Sequence, residues 1–207
     1  MQCDWIKCKK SKDVIVVFGG WAVGFAPLAH LEGFFDILFV SDFREINADL
    51  PNLAEYETKT LIALSFGVAA YAHWQTAHED PFTRKIAING TVTPVDRQTG
   101  IAPVIMQKTI DNLDIDSLQV FLMRCFGEKQ PKLEADIDAL KTELITVQQR
   151  GEAPQVAFDK VIISDKDRIF SSANLNRAYE GQRVTVVQGP HIPFSAWSRW
   201  EEILHVA

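Results

Sequence analysis

The chain has 207 residues, of which 47% are hydrophobic and 23% are charged, a composition that excludes a disordered protein. Its formal net charge of −6 argues against nucleic acid as a partner, because binding to phosphates needs a basic surface. The three cysteines are too few for a disulfide framework and lack metal-site spacing, which indicates reduced thiols in the cytoplasm. The length predicts a single domain over residues 1–207.

The sequence gives no sign of export or of a membrane-spanning segment. The amino-terminal region has no apolar stretch after a basic start and no small-residue cleavage site, so we predict no signal peptide. The longest apolar runs are of strand length, well short of the roughly 20 residues that cross a bilayer. We therefore expect a cytoplasmic protein with no membrane partner.

Short apolar segments bounded by Gly, Asp, Asn or Pro predict β-strands along the chain. Their nearly continuous, β-branched hydrophobicity is typical of strands that are covered on both faces. A mostly parallel sheet with helices on both faces, an α/β fold, is therefore expected. The predicted strands are residues 14–18, 37–41, 60–64, 85–88, 156–163 and 183–187.

The connection between the fourth and fifth predicted strands is much longer than an α/β crossover requires. Its second half predicts a helix over residues 131–150, with Pro131 in the first turn and Gly151 at the stop. An earlier helix is predicted with Asp114 or Asp116 as its cap. The apolar repeat of the later helix consists of Leu133, Ile137, Leu140, Leu144 and Val147.

We interpret this long connection as a helical cap inserted at about residues 92–154. Long insertions in compact domains are usually lids or binding elements. The cap is expected to cover the carboxyl edge of the sheet, because α/β proteins usually place their sites there.

A predicted strand, a serine and a helix of small residues follow one another at residues 61–70. This is the order of a nucleophile elbow, in which the serine occupies a tight turn and the residues two positions away must be small. Gly67 and Ala63 meet that requirement. Ser65 is therefore a candidate nucleophile, and the alternative is a serine that only caps the helix.

A nucleophilic serine needs a base, which a carboxylate must orient. In hydrolases with an elbow, the acid and then the histidine follow the serine along the chain. His191 follows the last predicted strand in a loop at the carboxyl edge, where the base belongs. His73 and His78 follow the elbow too closely to fold back onto it, and His205 lies near the end of the chain.

The orienting acid should follow the strand that precedes the histidine loop. Asp165 and Asp167 both stand after that predicted strand. We prefer Asp167, because Ile169 and Phe170 would pack inward and hold its carboxylate toward the site. Asp165 is the alternative, although it is more typical of a turn residue.

Acyl transfer also needs N–H donors for the developing oxyanion. The backbone N–H of Phe66, directly after the nucleophile, is one candidate. Gly19 and Gly20 follow the first predicted strand and allow the backbone to approach a substrate closely, which makes the N–H of Trp21 the second. A phosphate-binding loop is the alternative, although these glycines do not form the G-x-G-x-x-G pattern.

Several motifs of the chain, taken together and in order, resemble the BioG family of small α/β-hydrolases. The resemblance extends from about Val14 to His191, and its most specific part runs from Asn89 to Leu113. The motifs are Phe18-Gly19-Gly20-Trp21, Ala63-Leu64-Ser65-Phe66-Gly67, Ala87-Ile88-Asn89-Gly90-Thr91, Gly100-Ile101-Ala102-Pro103, Thr109-Ile110-Asp111-Asn112-Leu113 and Ser164-Asp165-Lys166-Asp167-Arg168-Ile169-Phe170.

The resemblance implies a serine carboxylesterase that hydrolyses the methyl ester of pimeloyl-[acyl-carrier protein] in biotin biosynthesis and releases methanol. On the matching positions, it implies that Ser65 is the nucleophile, His191 the general base and acid, and Asp167 the orienting acid. It implies that Trp21 and Phe66 donate backbone N–H groups to the oxyanion. Neither a metal nor an organic cofactor is implied, and the acyl-carrier protein is the expected partner.

Two features of the sequence leave more than one substrate class possible. The chain has Leu64-Ser65-Phe66 where the family often has Trp-Ser-Met, which changes the wall of the acyl pocket. The cap is acidic overall, so contact with an acidic carrier would depend on local cations such as Arg124, Lys129 and Lys132. The alternatives are a short-chain acyl esterase or a thioesterase of another substrate class, and a hydrolase fold that binds without catalysis.

Overall fold

A computed structural model describes residues 1–132 and 134–206 of the chain. The strands are β1 (Gln2–Lys7), β2 (Asp13–Phe18), β3 (Asp36–Ser41), β4 (Thr58–Leu64), β5 (Arg84–Ile88), β6 (Lys160–Ser164) and β7 (Val184–Val187). They form one sheet in the order β1-β3-β2-β4-β5-β6-β7. Strands β2 to β7 pair in parallel, and β1 pairs with β3 in antiparallel orientation.

Helices follow or connect most of these strands. They are α1 (Phe66–Gln75), α2 (Pro103–Asp111), α3 (Ile115–Phe126), α4 (Ile137–Arg150), α5 (Ser172–Ala178) and α6 (Trp200–His205), with short 3-10 turns at Ala26–Leu28 and Phe194–Ala196. Helices α2, α3 and α4 all lie between β5 and β6. The α/β fold with a mostly parallel sheet is as the sequence predicted. No helix of the residues described is long and apolar enough to cross a bilayer.

The central strands are buried on both faces, which explains their continuous hydrophobicity. In β4, Leu61 and Ala63 belong to one buried cluster, and Ile62 and Leu64 belong to the cluster on the opposite face. The first cluster includes α1 and the inner sides of α2, α3 and α4. The second is closed by α6 and the 3-10 turns. Each fully buried aliphatic side chain contributes about 1.5–3 kcal/mol, so packing on both faces holds the carboxyl edge of the sheet in place.

Two predicted boundaries are wrong at their amino-terminal ends. The strand expected at 156–163 begins at Lys160, the first residue of β6 that pairs with β5, opposite Ile86. The helix expected at 131–150 begins at Ile137. Asp136 caps that helix by accepting a hydrogen bond from the N–H of Ala139 at 3.0 Å.

Other helix boundaries agree with the sequence signals. Of the two carboxylates proposed as the cap of the earlier helix, Asp114 is the cap residue of α3 and accepts from the N–H of Ser117 at 2.7 Å. Gly151 ends α4 with φ of 73° and ψ of −146°, a combination that glycine adopts readily because it has no side chain. Leu133, which contributed to the apolar repeat, lies outside the residues described.

Candidate active site

Ser65 lies between the end of β4 and the start of α1, in a strained turn. Its φ of 56° and ψ of −125° belong to a region that residues with side chains rarely adopt, at a cost of about 1–3 kcal/mol. The N–H of Ser65 donates to the carbonyl oxygen of Ile88 at 2.9 Å. The side chain is nearly buried, with 5% of the residue exposed. The turn therefore fixes the hydroxyl at the carboxyl edge of the sheet, as in a nucleophile elbow.

Glycine is required at two positions around this turn. A Cβ atom at Gly67 would lie 2.2 Å from the carbonyl oxygen of Phe18, and one at Gly90 would lie 2.1 Å from the carbonyl oxygen of Ser65. Both distances are shorter than any side chain tolerates. The sequence predicted that the turn needs a small residue at Gly67, and the reason is the close approach of α1 to the end of β2.

His191 joins Ser65 to Asp167 through two hydrogen bonds. Its Nε2 lies 3.0 Å from the Oγ of Ser65, and its Nδ1 lies 2.7 Å from Oδ2 of Asp167. The side chains of His191 and Asp167 are 1% and 0% exposed. With the ring proton on Nδ1, that N–H donates to the carboxylate and Nε2 accepts from the serine hydroxyl. This arrangement can take a proton from the serine and hold the resulting imidazolium beside a carboxylate.

The carboxylate of Asp167 is itself held by backbone donors. Its Oδ1 accepts from the N–H groups of Ile169 at 2.7 Å and Phe170 at 2.9 Å. The ring of Phe170 also stacks on the imidazole of His191, with 5.9 Å between ring centroids. The other carboxylate considered, Asp165, accepts from the N–H of Gly189 at 2.9 Å in a turn. Asp167 therefore faces the histidine.

Trp21, Ser65 and Phe66 line the same small cavity. The volume of this cavity is about 70 Å³. The N–H of Phe66 belongs to the first residue of α1, a position with no partner inside the helix. The indole Nε1 of Trp21 donates to the carbonyl oxygen of Leu140 in α4 at 3.0 Å, and its ring meets Phe121 of α3 edge to face. The loop that carries the second candidate donor is thus attached to α3 and α4.

The cavity beside Ser65 is mostly apolar and continues toward the surface. A second cavity of about 380 Å³ shares four of its lining residues, which are Ile105, Thr109, Phe121 and Arg124. Arg124 and Arg168 line the cavity beside Ser65. A larger cavity of about 650 Å³ lies near the start of β4 and the end of α1, and none of the candidate residues contributes to it.

Asn89 belongs to this site and was not predicted to do so. It is 1% exposed, and its side-chain amide contacts the backbone of His191 and both the N–H and the hydroxyl of Ser164. The only signal for it in the sequence was its place in the motif Ala87-Ile88-Asn89-Gly90-Thr91.

A thiol also lies near the site. Burial raises the pKa of Cys125, and the nearby charge of Asp167 raises it further. Cys125 is therefore a protonated thiol at neutral pH, and it does not compete with Ser65 as a nucleophile.

Comparisons with known protein families and sequences show which proteins the chain is similar to. A family model described as "Pimeloyl-ACP methyl esterase BioG" matches residues 1–203. Malonyl-[acyl-carrier protein] O-methyltransferase from Bacteroides fragilis is 33% identical over 180 residues, which are 82% of this chain and 37% of that protein. The chain therefore spans little more than a third of that relative's length.

Solved structures share the fold. The crystal structure of BioG from Haemophilus influenzae superposes with a TM-score of 0.87 at 24% identity, covering 97% of this chain and 98% of the other. An esterase from Exiguobacterium antarcticum gives a TM-score of 0.69 at 15% identity, with 91% and 87% of the two chains covered. At these identities the likeness establishes an α/β-hydrolase fold.

Proposed function

The chain belongs to the BioG family, and on that premise we propose that it hydrolyses the methyl ester of pimeloyl-[acyl-carrier protein] with Ser65 as its nucleophile. The family is one of esterases that act on acyl groups carried by the acyl-carrier protein. The observation that carries the proposal is the continuous hydrogen-bonded series from Ser65 through His191 to Asp167.

In the first half of the reaction, the Oγ of Ser65 attacks the ester carbonyl while Nε2 of His191 accepts the hydroxyl proton. The oxyanion that forms is stabilised by the backbone N–H groups of Trp21 and Phe66. The tetrahedral intermediate then breaks its bond to the methoxy group. His191 gives its proton to that oxygen, and methanol leaves an acyl-enzyme ester on Ser65.

In the second half, a water molecule attacks the acyl-enzyme while His191 accepts one of its protons. The new tetrahedral intermediate expels Oγ of Ser65, which recovers the proton from His191. The products are the free carboxylic acid on its carrier and the original enzyme. Asp167 stabilises the imidazolium in both halves.

We also propose that α2, α3 and α4, within about residues 92–154, form a cap over this site in a single domain. Residues from all three helices line the cavity beside Ser65, and Trp21 is hydrogen-bonded to α4. The apolar lining suits the methylene chain of a pimeloyl group.

The carrier is the proposed partner, and its docking is expected at the mouth of the cavity. Arg124 is exposed and lines both the inner and the outer cavity, while Lys129 and Lys132 are exposed beyond the end of α3. The name of the Bacteroides relative also supports a carrier-bound methyl ester, because a methyltransferase acting on an acyl-carrier protein would install the group that this reaction removes. The free thiols of Cys3, Cys8 and Cys125 support a cytoplasmic location.

The test is methanol release from methyl pimeloyl-[acyl-carrier protein] by the purified protein, with Ser65→Ala as the control. We expect turnover by the wild type, loss of turnover in the variant, and much weaker activity on a free short-chain ester such as p-nitrophenyl acetate. Preference for the free ester would indicate an esterase of another substrate class. Absence of labelling of the wild type by a fluorophosphonate probe, or equal labelling of Ser65→Ala, would indicate a fold without catalysis.

A further inference from the structure

We propose that Asn89 is a positioning residue that holds the backbone of His191 and thereby sets the imidazole between Ser65 and Asp167. This inference rests on the proposed function, since it assigns His191 the role of the base. Asn89 touches neither the nucleophile nor the reacting atoms through its side chain. Its effect on the reaction would be transmitted through the peptide group that follows the histidine.

The side-chain amide of Asn89 has a single allowed orientation. Its Nδ2 donates one hydrogen to the carbonyl oxygen of His191 at 2.7 Å and the other to Oγ of Ser164 at 2.7 Å. Its Oδ1 accepts from the backbone N–H of Ser164, also at 2.7 Å. Rotating the amide by 180° would place Nδ2 against that N–H and Oδ1 against the carbonyl of His191. Both contacts would be repulsive, so the network fixes the amide.

The peptide group between His191 and Ile192 is bonded at both of its polar atoms. Its carbonyl oxygen accepts from Asn89, and its N–H donates to the carbonyl oxygen of Cys125 at 2.9 Å. A peptide group is planar, so bonds on opposite sides fix the orientation of the whole plane. That plane includes the Cα atom of His191, so its orientation fixes the point from which the imidazole side chain leaves the backbone.

Asn89 is well placed to hold this peptide because its own backbone is anchored. Its N–H donates to the carbonyl oxygen of Ile162 in β6 at 3.0 Å, and its φ of 47° lies in the left-handed region, where asparagine is favoured among residues with side chains. The next residue, Gly90, passes directly over the carbonyl of Ser65. Residue 89 therefore lies between the turn of the nucleophile and the loop of the base, and it is tied to both β5 and β6.

The same amide also fixes the start of the loop that carries the acid. Ser164 is the last residue of β6 and is fully buried, and Asp167 follows it by three residues. One side chain thus holds the backbone of His191 and the start of the loop that carries Asp167. A displacement of about 1 Å at such a position can cost roughly 10²-fold in rate.

The variants Asn89→Gly and Asn89→Asp separate this role from simple stabilisation of the sheet. Asn89→Gly removes the amide and still permits the left-handed backbone. Asn89→Asp keeps the shape of the side chain and removes the donor to His191 when it is ionised. Ser164→Ala is the matched control, because it removes only the bond to the hydroxyl and keeps the bonds from Asn89 to His191 and to the N–H of residue 164.

The measurement is the rate at which a fluorophosphonate labels Ser65 in protein shown to be folded by circular dichroism. This small reagent reports activation of the serine without carrier docking. We expect labelling to slow by about 10²-fold in Asn89→Gly and Asn89→Asp, as a displaced base predicts, and to change little in Ser164→Ala. With the carrier-bound ester, kcat should fall while KM stays near the wild-type value.

A second readout is the low-field proton resonance of the His191 Nδ1–H that donates to Asp167. We expect this signal in the wild type and in Ser164→Ala, and its loss or broadening in the two Asn89 variants. Folded Asn89 variants that label at the wild-type rate and keep the resonance would overturn the inference. If Asn89→Gly does not fold, Asn89→Asp decides the question. Failure to label the wild type at all would instead count against the proposed function.

Discussion

The N–H of Ile192 donates to the carbonyl oxygen of Cys125 at 2.9 Å and so joins the loop of His191 to the last turn of α3. A second connection runs from the indole of Trp21 to Leu140 of α4. The helices that line the cavity are therefore bonded to the loops that carry the candidate base and one candidate oxyanion donor. A movement that lifted these helices as a unit would disturb both loops, which favours substrate entry through the outer cavity between α2 and α3.

Asp167→Asn should lower kcat by about 10⁴-fold. The neutral amide lacks the negative charge that stabilises the imidazolium, and it favours the tautomer of His191 in which Nε2 carries the proton and cannot accept one from Ser65. The variant side chain can still accept from the N–H groups of Ile169 and Phe170, so the loop should keep its shape. The measurement is kcat for the carrier-bound ester.

The matched control for that variant is Asp165→Asn on the same loop. Asp165 accepts from the backbone of Gly189 in a turn and has no hydrogen bond to His191 among the residues described, so we expect nearly wild-type kcat. A larger loss in Asp165→Asn than in Asp167→Asn would reverse the assignment of the acid.

Trp21→Phe should loosen α4 without removing the backbone N–H proposed for the oxyanion. The substitution deletes the indole donor to Leu140, a bond worth about 0.5–1.5 kcal/mol, and keeps an aromatic ring against Phe121. We expect faster hydrogen exchange of the α4 amides, by roughly two- to tenfold for that range of free energy.

Trp74→Phe is the control for this exchange experiment. Its indole donates to the carbonyl oxygen of Ala48 at 3.0 Å, so the variant loses the same kind of bond to a residue that does not belong to α4. Equal acceleration of α4 exchange in both variants would show that the link from Trp21 to α4 has no local effect.

The sequence predicted the parts of the molecule whose signals are local. The central strands are apolar because both faces are covered, and the serine turn is recognisable because its neighbours must be small. The order of acid and histidine after the serine narrowed the remaining choice to a few residues. The hydrogen bonds of His191 then join it to the serine and to the preferred carboxylate.

The features that the sequence analysis did not predict depend mainly on contacts with residues distant in sequence. Asn89 is bonded to residues 75 and 102 positions away in sequence, and no local pattern reveals such contacts. Strand β1 is partly exposed along its length and lies at the edge of the sheet, so it lacks the continuous apolar run of the inner strands. The start of α4 follows from the cap that Asp136 provides, whereas an apolar repeat does not define where a helix begins.

Glu143→Gln should remove a dependence of stability on pH. Glu143 is buried in α4, and its Oε1 accepts from the N–H of Phe43 at 2.9 Å. Burial raises the pKa of this carboxyl above its ordinary value, while the N–H of Phe43 opposes the shift. Because the pKa of Glu143 is raised in the folded state, its protonated carboxyl makes its full contribution to the free energy of unfolding below the unfolded-state pKa. That contribution is lost as pH rises through the folded-state pKa.

The free energy of unfolding of the wild type should therefore fall relative to that of Glu143→Gln as pH rises above about 4, where an ordinary glutamate ionises. Glutamine keeps an oxygen that can accept from Phe43. Urea denaturation across this range measures the difference, and Glu128→Gln at an exposed position is the control. A constant difference between wild type and Glu143→Gln at every pH would contradict the prediction.

Gly67→Ala should damage both stability and the candidate site, because its new methyl group meets backbone. The added Cβ would lie 2.2 Å from the carbonyl oxygen of Phe18 and 2.6 Å from that of Gly19. Neither atom belongs to a flexible side chain, so the end of β2 must move, at a cost of about 1–3 kcal/mol or more. That movement passes directly to Gly20 and Trp21, and fluorophosphonate labelling of Ser65 should slow even in the folded fraction.

Gly24→Ala is the comparison that isolates the steric effect. Gly24 has φ of 64° and open space around the position of its missing Cβ, so alanine there carries only the conformational cost of about 1–2 kcal/mol. We expect a modest loss of stability in urea denaturation with a labelling rate near that of the wild type. If Gly67→Ala labelled as fast as Gly24→Ala, the contact between α1 and the end of β2 would not control the geometry of the oxyanion loop, and Trp21 would have to be held by its indole alone.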